Sequence, residues 1–224
     1  PPSHSIDGNL KYGLDIRGGS WLQLELQSVL VKIDANKEEI IKKEVSDLLG
    51  VPVTIVSSDE ESVTIRAENL SKEKIDFLGY GQSETISNNT VKINTADKTA
   101  IINFLSKHLH AEVVPARYNG MDVFEIRGKI TQKQLEDLLS EVNGEISLDE
   151  NGNPIFIEGV TPETMEITRD ILSDKLNMIG LKDIQVRTVG EKFILIDMPG
   201  VDISTATKII GKPGKFEVRI QTEP

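Results

Sequence analysis

Apolar and polar residues alternate along Leu22-Gln23-Leu24-Glu25-Leu26-Gln27, the period-two pattern of a strand with one buried face. The phase then changes. Before Ser28 the apolar positions are even, whereas Val29, Val31 and Ile33 occupy odd ones. A strand whose apolar face flips cannot serve a single core, so a break is expected near Ser28, with the two halves packing into different bodies.

From Asp34 onward the pattern switches between helical and strand periods. Asn36 reads as the cap of a helix reaching about Leu49, with Ile40, Ile41, Val45, Leu48 and Leu49 on one stripe and Gly50 as its stop. Strands are expected at Val51 to Val56 and Ser62 to Arg66, followed by a helix from Ser71 to Leu78 that ends at Gly79. Thr85 to Ile93 reads as one strand, and Thr95 as the cap of a helix carrying Ile101, Ile102, Leu105 and Leu109. Strands at Ala111 to Pro115 and Val123 to Arg127 flank Asn119-Gly120, a strong hairpin turn pair. Thr131 and Gln134 form a capping box ahead of Leu135, Leu138, Leu139 and Val142. Short strands at Glu145 to Leu148 and Ile155 to Ile157 close around Asn151-Gly152.

The last third opens with Thr161-Pro162, proline standing at the first helical position where no donor is lost. That helix stops at Gly180. Strands at Ile184 to Val189 and Phe193 to Asp197, a short helix from Asp202 to Gly211 and a strand from Lys215 to Ile220 complete the pattern. Aligning Val63-Thr64-Ile65, Phe124-Glu125-Ile126 and Ile194-Leu195-Ile196 brings the flanking helices into register, which suggests an internal triplication. Each unit, given a strand on either side, spells β-α-β-β-α-β. The expected fold is therefore α+β, with nested ferredoxin-like modules. Residues 1–28 and 160–224 form a discontinuous base, and 29–84 and 85–159 are two inserted modules. The base lacks a first strand unless Trp21 to Gln27 supplies it, pairing within the sheet that holds Lys215 to Ile220.

Ahead of that strand stands Tyr12-Gly13-Leu14-Asp15-Ile16-Arg17-Gly18-Gly19-Ser20-Trp21. Its glycines admit backbone conformations that a Cβ opposes, so Gly18 and Gly19 are expected to set the strand's entry. Asp15 and Arg17, two apart, share a face if extended and most simply hold neighbouring loops. The septet Gly13-Leu14-Asp15-Ile16-Arg17-Gly18-Gly19 resembles the start of the first large extracytoplasmic domain of SecD, a membrane component of the protein-export translocase. The blocks Thr164 to Gly180, Leu181 to Gly200 and Ala206 to Ile220 are similar to a second SecD region. That region runs through a helix, a basic hairpin, a Pro-Gly turn at Pro199-Gly200, a helix and a strand with F-E-x-R at Phe216, Glu217 and Arg219. Met178-Ile179-Gly180 and Phe193 depart from other members while keeping apolar character.

The resemblance implies a translocase accessory domain that assists preprotein export. It implies SecF, the Sec translocation channel and unfolded preprotein as partners. It also implies proton-motive-force coupling by membrane residues outside this chain, a transmembrane helix before Pro1 and further domain sequence after Pro224. The other class compatible with such repeats is a ligand sensor that binds a small molecule such as an amino acid.

Composition sets limits on both. The 224 residues suffice for two or three cores, and 38% hydrophobic with 27% charged residues is ordinary for a globular protein. A net charge of −11 repels polyphosphate and anionic lipid, so no nucleic-acid partner is expected. There is no cysteine, which removes disulfide and thiolate chemistry. No run approaches the roughly 20 apolar residues that span a bilayer.

Several residue groups imitate chemistry without completing it. Asp197-Met198-Pro199-Gly200 has the D-x-x-G of nucleotide hydrolases, but Gly211-Lys212-Pro213-Gly214-Lys215 is too short for the matching phosphate loop. His108 and His110 are two apart at a helix end and diverge as a metal pair. Asp149, Asn151 and Asn153 begin like a calcium loop, but Pro154 and Val160 stand where glycine and glutamate are required, so a hairpin turn is expected. Asn69-Leu70-Ser71 and Asn88-Asn89-Thr90 are glycosylation sequons that chance also produces. No catalytic residues, metal or cofactor are expected, and the chain is read as a non-enzyme.

Overall fold

The computed structural model describes residues 10–15, 21–181, 183–201 and 216–221, and the chain is mixed α/β with mostly antiparallel sheets. It begins with β1 (Leu10–Asp15), β2 (Trp21–Glu25), β3 (Val29–Val31), β4 (Ile33–Asp34), α1 (Lys37–Leu49), β5 (Thr54–Ser58), β6 (Ser62–Arg66) and α2 (Lys72–Leu78). The middle holds β7 (Ser83–Ser87), β8 (Thr90–Asn94), α3 (Asp97–Leu109), β9 (Glu112–Tyr118), β10 (Met121–Arg127), α4 (Gln132–Ser140), β11 (Glu145–Ile146) and β12 (Phe156–Glu158). The last stretch carries α5 (Pro162–Met178), β13 (Gln185–Val189), β14 (Phe193–Asp197) and β15 (Phe216–Gln221).

Two compact units emerge. One takes the described residues up to 31, 114–130 and those from 156 on, and the other takes 32–113 and 131–155. Residues 114–130, which the repeat pattern groups with 85–159, lie with the two ends of the chain.

In the first unit, β14 is the centre of a three-stranded sheet in the order β13-β14-β2. Antiparallel register sets Leu24 opposite Ile194 and Leu22 opposite Ile196. Their common face meets α5, and Leu22, Leu24, Leu26, Met165, Leu172, Leu176, Ile194, Ile196 and Met198 form one buried cluster. The alternating run therefore supplies a missing strand, as its pattern requires. The final strand does not pair with it. β15 runs parallel to β1, which itself lies alongside β2. The lead-in segment was expected to be a glycine-rich entry, yet its apolar residues at Leu10, Tyr12 and Leu14 also follow a period of two.

The break near Ser28 is present. β2 and β3 are separate strands in different sheets, and the buried Ser28 hydroxyl donates to the Ile126 carbonyl at 3.0 Å. Both halves nevertheless stay in the first unit, which the chain leaves after Val31. There β3 is central in the order β12-β3-β10-β9 and is buried at all three positions. Asn119 and Gly120 join β9 to β10 with φ of 48° and 78°, the two positive values that a tight hairpin needs.

In the second unit the strands run β5-β6-β8-β7, all antiparallel. Asn36 caps α1 by accepting from the Glu39 N–H, Gly50 ends it with φ of 68°, and Ser71 and Thr131 cap α2 and α4 in the same way. Thr95 does not cap α3. The helix starts one residue later, with Ala96 at the cap and no side chain bonded there. The single strand expected over Thr85 to Ile93 is instead the hairpin β7–β8, because Asn89 takes a positive φ of 57° and turns the chain. Leu48, placed on the apolar stripe of α1, is 40% exposed. Around Asp149 the expected hairpin forms, with Ile155 N–H bonded to the Ser147 carbonyl at 2.8 Å, but its arms diverge: β11 pairs with β4 and β12 with β3.

Leu24 is wholly buried between β14 and α5, so Leu24→Ala should cost about 3 kcal/mol, transfer and cavity contributions together. Leu48→Ala should cost under about 0.5 kcal/mol. Urea melts of both variants check the contrast.

Candidate functional site

The signature segments from opposite ends of the chain meet. In the β1–β15 register Gly13 stands opposite Arg219, Leu14 opposite Ile220, Asp15 opposite Gln221, Lys11 opposite Glu217 and Leu10 opposite Phe216. Ile16, Arg17, Gly18 and Gly19 lie outside the described residues, as do the helix expected after Asp202 and the Gly211 to Lys215 run. Pro199 and Gly200 follow β14 in a turn, where Gly200 has a φ of 75° and Val201 N–H bonds to the Met198 carbonyl at 3.3 Å. Met198 is buried, so this turn seals the core that β2 completes.

A second constellation sits on β10 and the start of α5. Residues 123 to 127 of β10 are all buried, so its charged members must find partners inside. Glu125 is fully buried and its carboxylate accepts from Thr161 N–H at 2.7 Å and from the Thr161 hydroxyl at 3.0 Å. It also accepts from the Thr164 hydroxyl, and Arg127 lies 3.8 Å away. Arg127 donates to Thr164 Oγ1 through Nη2 at 2.8 Å and Nε at 3.2 Å. Thr161 is the cap of α5, accepting from Thr164 N–H through its own hydroxyl. A carboxylate at a helix N-terminus also meets the favourable end of the macrodipole. Glu125 thus fixes where the long helix begins. Sequence reasoning found the Thr161-Pro162 start but not its acceptor, and the available signal was the pair Glu125 and Arg127 within the otherwise apolar run Val123 to Arg127.

The remaining sequence leads resolve into structure. His108 contacts Glu44 through Nε2, and Lys107 donates to the other Glu44 oxygen at 2.9 Å, so the carboxylate of α1 is tied to α3. At the other end of these helices Lys37 N–H bonds to Asp97 Oδ1 at 2.9 Å. His110 ends α3 with φ of 50°. Burial pushes the Glu44 carboxyl up, but the bonds from His108 and Lys107 outweigh it and hold it below the ordinary 4.5. Burial, with the Glu44 charge, pushes the nearby Tyr80 hydroxyl strongly up. Asp149 Oδ1 accepts from the Asn151 and Asn153 N–H groups, both at 2.9 Å, which is the chemistry of a turn. Among the described residues no group of three or more His, Asp and Glu side chains is placed to hold a metal ion.

Two cavities of about 150 and 680 Å³ open in the first unit and share Glu158, Gly159 and Lys192. The larger has an apolar floor of Leu30, Ile157 and Met165, with Arg117, Glu166 and Glu191 among its charged residues.

The chain is 28% identical over 229 residues to the protein-export membrane protein SecD of Methanolacinia petrolearia, a match covering 99% of this chain and 33% of that protein. It is 38% identical over 64 residues to SecD of Methanothermobacter thermautotrophicus, covering 29% of this chain and 16% of that protein. Over 106 residues it is 23% identical to the protein translocase subunit SecD of Aquifex aeolicus, covering 44% of this chain and 21% of that protein. The chain is a SecD-related domain. It spans a third or less of the length of these relatives. No protein-family model matches it, and no solved structure matches it significantly. Among the described residues of the SecD-related domain no helix is long and apolar enough to cross a membrane.

Glu125→Ala would leave the buried Thr161 and Thr164 donors without their acceptor, and should cost about 3–5 kcal/mol. Thr161→Ala should cost about 1 kcal/mol alone and much less in the Glu125→Ala background, because the two groups share one network. A double-mutant cycle by urea melts measures this. For Glu44 the folded carboxyl titrates below its unfolded value. Its stabilisation is therefore complete above about pH 4.5 and is lost as pH falls through the folded value. Melting midpoints followed from neutral pH into acid should show that loss, and Glu44→Gln should flatten it.

Proposed function

We propose that this SecD-related domain lies on the extracytoplasmic side of the membrane and serves as an accessory module in preprotein export, working with SecF and the Sec translocation channel. Membrane residues elsewhere in the full-length protein couple it to the proton motive force. The observation that carries this reading is the similarity to a SecD over 99% of the chain. The pairing of β1 with β15 adds support, since it joins the septet's first residues to the Phe216-Glu217-Val218-Arg219 strand. The domain acts by binding, and engagement of unfolded preprotein needs no metal or cofactor.

For the fold we propose ferredoxin-like modules in a nested arrangement, with 1–28 and 160–224 as base and 29–84 and 85–159 inserted. The order β5-β6-β8-β7 is the ferredoxin-like order with β8 in the place of the first strand, although β8 comes from residues 85–159 and the sheet therefore runs across the boundary between the two inserted modules.

In cells that depend on the full-length protein, replacing residues 54–94, which lie wholly in the second unit, with a short flexible linker should slow export of a secreted reporter while the protein still accumulates in the membrane. Undiminished export with the replacement in place would contradict the role. We further propose that Gly18 and Gly19 hold the entry to β2. Valine at either should cost on the order of 1–3 kcal/mol, and Asp15→Ala on the order of 1 kcal/mol. Denaturant melts decide. An unchanged midpoint for the valine variants, alongside loss of export in Asp15→Ala, would make the septet a contact surface for a partner.

A further inference from the structure

Asn69-Leu70-Ser71 and Asn88-Asn89-Thr90, the two N-x-S/T sequons of the chain, are motifs that the export reading leaves unused. Such a triplet carries meaning only on a surface loop, where a sugar added to the carboxamide can stay in solvent. Both meet that condition within the second unit. Asn69 lies in the turn between β6 and α2, Asn88 lies in the turn between β7 and β8, and both are exposed. The two turns also adjoin. Arg66 stands opposite Thr90 across the β6–β8 ladder, and just beyond that pair Ala67 N–H donates to the Asn89 carbonyl at 3.1 Å. Sites on separate loops thus stand side by side at one end of the β5-β6-β8-β7 sheet.

Turn geometry does not account for both asparagines. Asn69 has a φ of 59°, a left-handed conformation that suits asparagine. In the hairpin, Asn89 takes that conformation, with φ of 57°, and Asn88 does not. Neither the Asn69 nor the Asn88 carboxamide bonds to a described residue, whereas those of Asn36, Asn103 and Asn143 do. Their amide nitrogens are therefore free to react. The hydroxyls that complete the sequons are engaged in the fold. Ser71 caps α2, and Thr90, 2% exposed, accepts from Arg66 Nε at 3.1 Å and donates to the Asn88 carbonyl at 3.4 Å. A transferase that reads the Thr90 hydroxyl must act before the hairpin closes, and folding then buries the hydroxyl while Asn88 stays outside.

We propose that Asn69 and Asn88 are N-glycosylated, the donor being an oligosaccharide carried on a lipid-linked phosphate. Nδ2 of each asparagine forms a bond to the anomeric carbon of the sugar as the bond from that carbon to the phosphate oxygen breaks. The phosphate leaves with the electron pair, and Nδ2 gives up one proton. The two glycans cover one end of the second unit's sheet and close it to protein partners. The inference rests on the extracytoplasmic reading, since donor and transferase must meet the chain as it emerges on that face.

The full-length protein, purified from the membranes of the cells that make it, provides the test. Trypsin separates the two sites into peptides 67–72 and 75–92, so mass spectrometry reads each alone. Both peptides should carry an oligosaccharide mass that chemical deglycosylation removes. Asn88→Gln, and Asn69→Gly, which keeps the left-handed φ, should each abolish one modification, and Thr90→Ser should retain the one on Asn88. A membrane-impermeant amine reagent applied to the intact cells should label lysines of the second unit. If either peptide is recovered only unmodified from protein so labelled, the proposal is overturned while the extracytoplasmic reading stands. Added mass that persists on peptide 75–92 in Asn88→Gln belongs to another residue and overturns it too. Lysines protected from the reagent overturn the extracytoplasmic reading and the proposal with it.

Discussion

The pairing of Trp21–Glu25 with Phe193–Asp197 joins residues more than 150 positions apart in sequence, and the core of the first unit depends on it. Leu22, Leu24 and Leu26 are buried in one cluster with residues of β14 and α5, and without them the sheet beneath α5 loses one of its three strands. Closing so long a loop costs conformational entropy, but the cost grows only logarithmically with length, whereas each buried leucine contributes about 1.5–3 kcal/mol. The long intervening chain is therefore thermodynamically tolerable. The same topology accounts for the meeting of β1 and β15, because β1 runs alongside β2.

Glu125 adds a polar constraint to this apolar one. Burying a carboxylate is unfavourable unless its oxygens are met, and here Thr161, Thr164 and Arg127 meet them. Three stretches distant in sequence thus share one unit: the N-terminal strands, the 114–130 hairpin and the C-terminal block. Apolar burial supplies most of the stabilisation, and the Glu125 network fixes the position at which α5 starts. The second unit repeats the device on a smaller scale, with Asp97 and Glu44 joining α1 to α3 near their two ends.

Local features were legible in the sequence because their causes are local. Asn36, Ser71, Thr131 and Thr161 cap helices at the expected positions, and Asn119-Gly120 turns the expected hairpin. The phase flip at Ser28 likewise marked a real break between sheets. Pairing between distant strands was less legible, since a period of two says that one face is buried without naming the partner. Leu10 to Asp15 was hidden by its glycine, Thr85 to Ile93 by an Asn-Asn pair that turns as readily as it extends, and Thr95 by a neighbouring alanine that supplies the cap backbone instead. Glu125 could not be placed, because whether a strand charge faces solvent or a helix N-terminus is decided by tertiary structure. Of the signature residues, the sequence could not show that those at Gly13 to Asp15 and Phe216 to Arg219, from opposite ends of the chain, lie on adjoining strands.

Native-state hydrogen exchange on the whole chain tests the closure of this unit most directly, because strands that share one core should open together. The ladder amides of Leu22 to Glu25 should exchange with the same opening free energy as those of Phe193 to Asp197, and Leu24→Ala should lower both equally. Rapid exchange throughout Leu22 to Glu25, with Phe193 to Asp197 still protected, would show that the N-terminal strand is not part of that core.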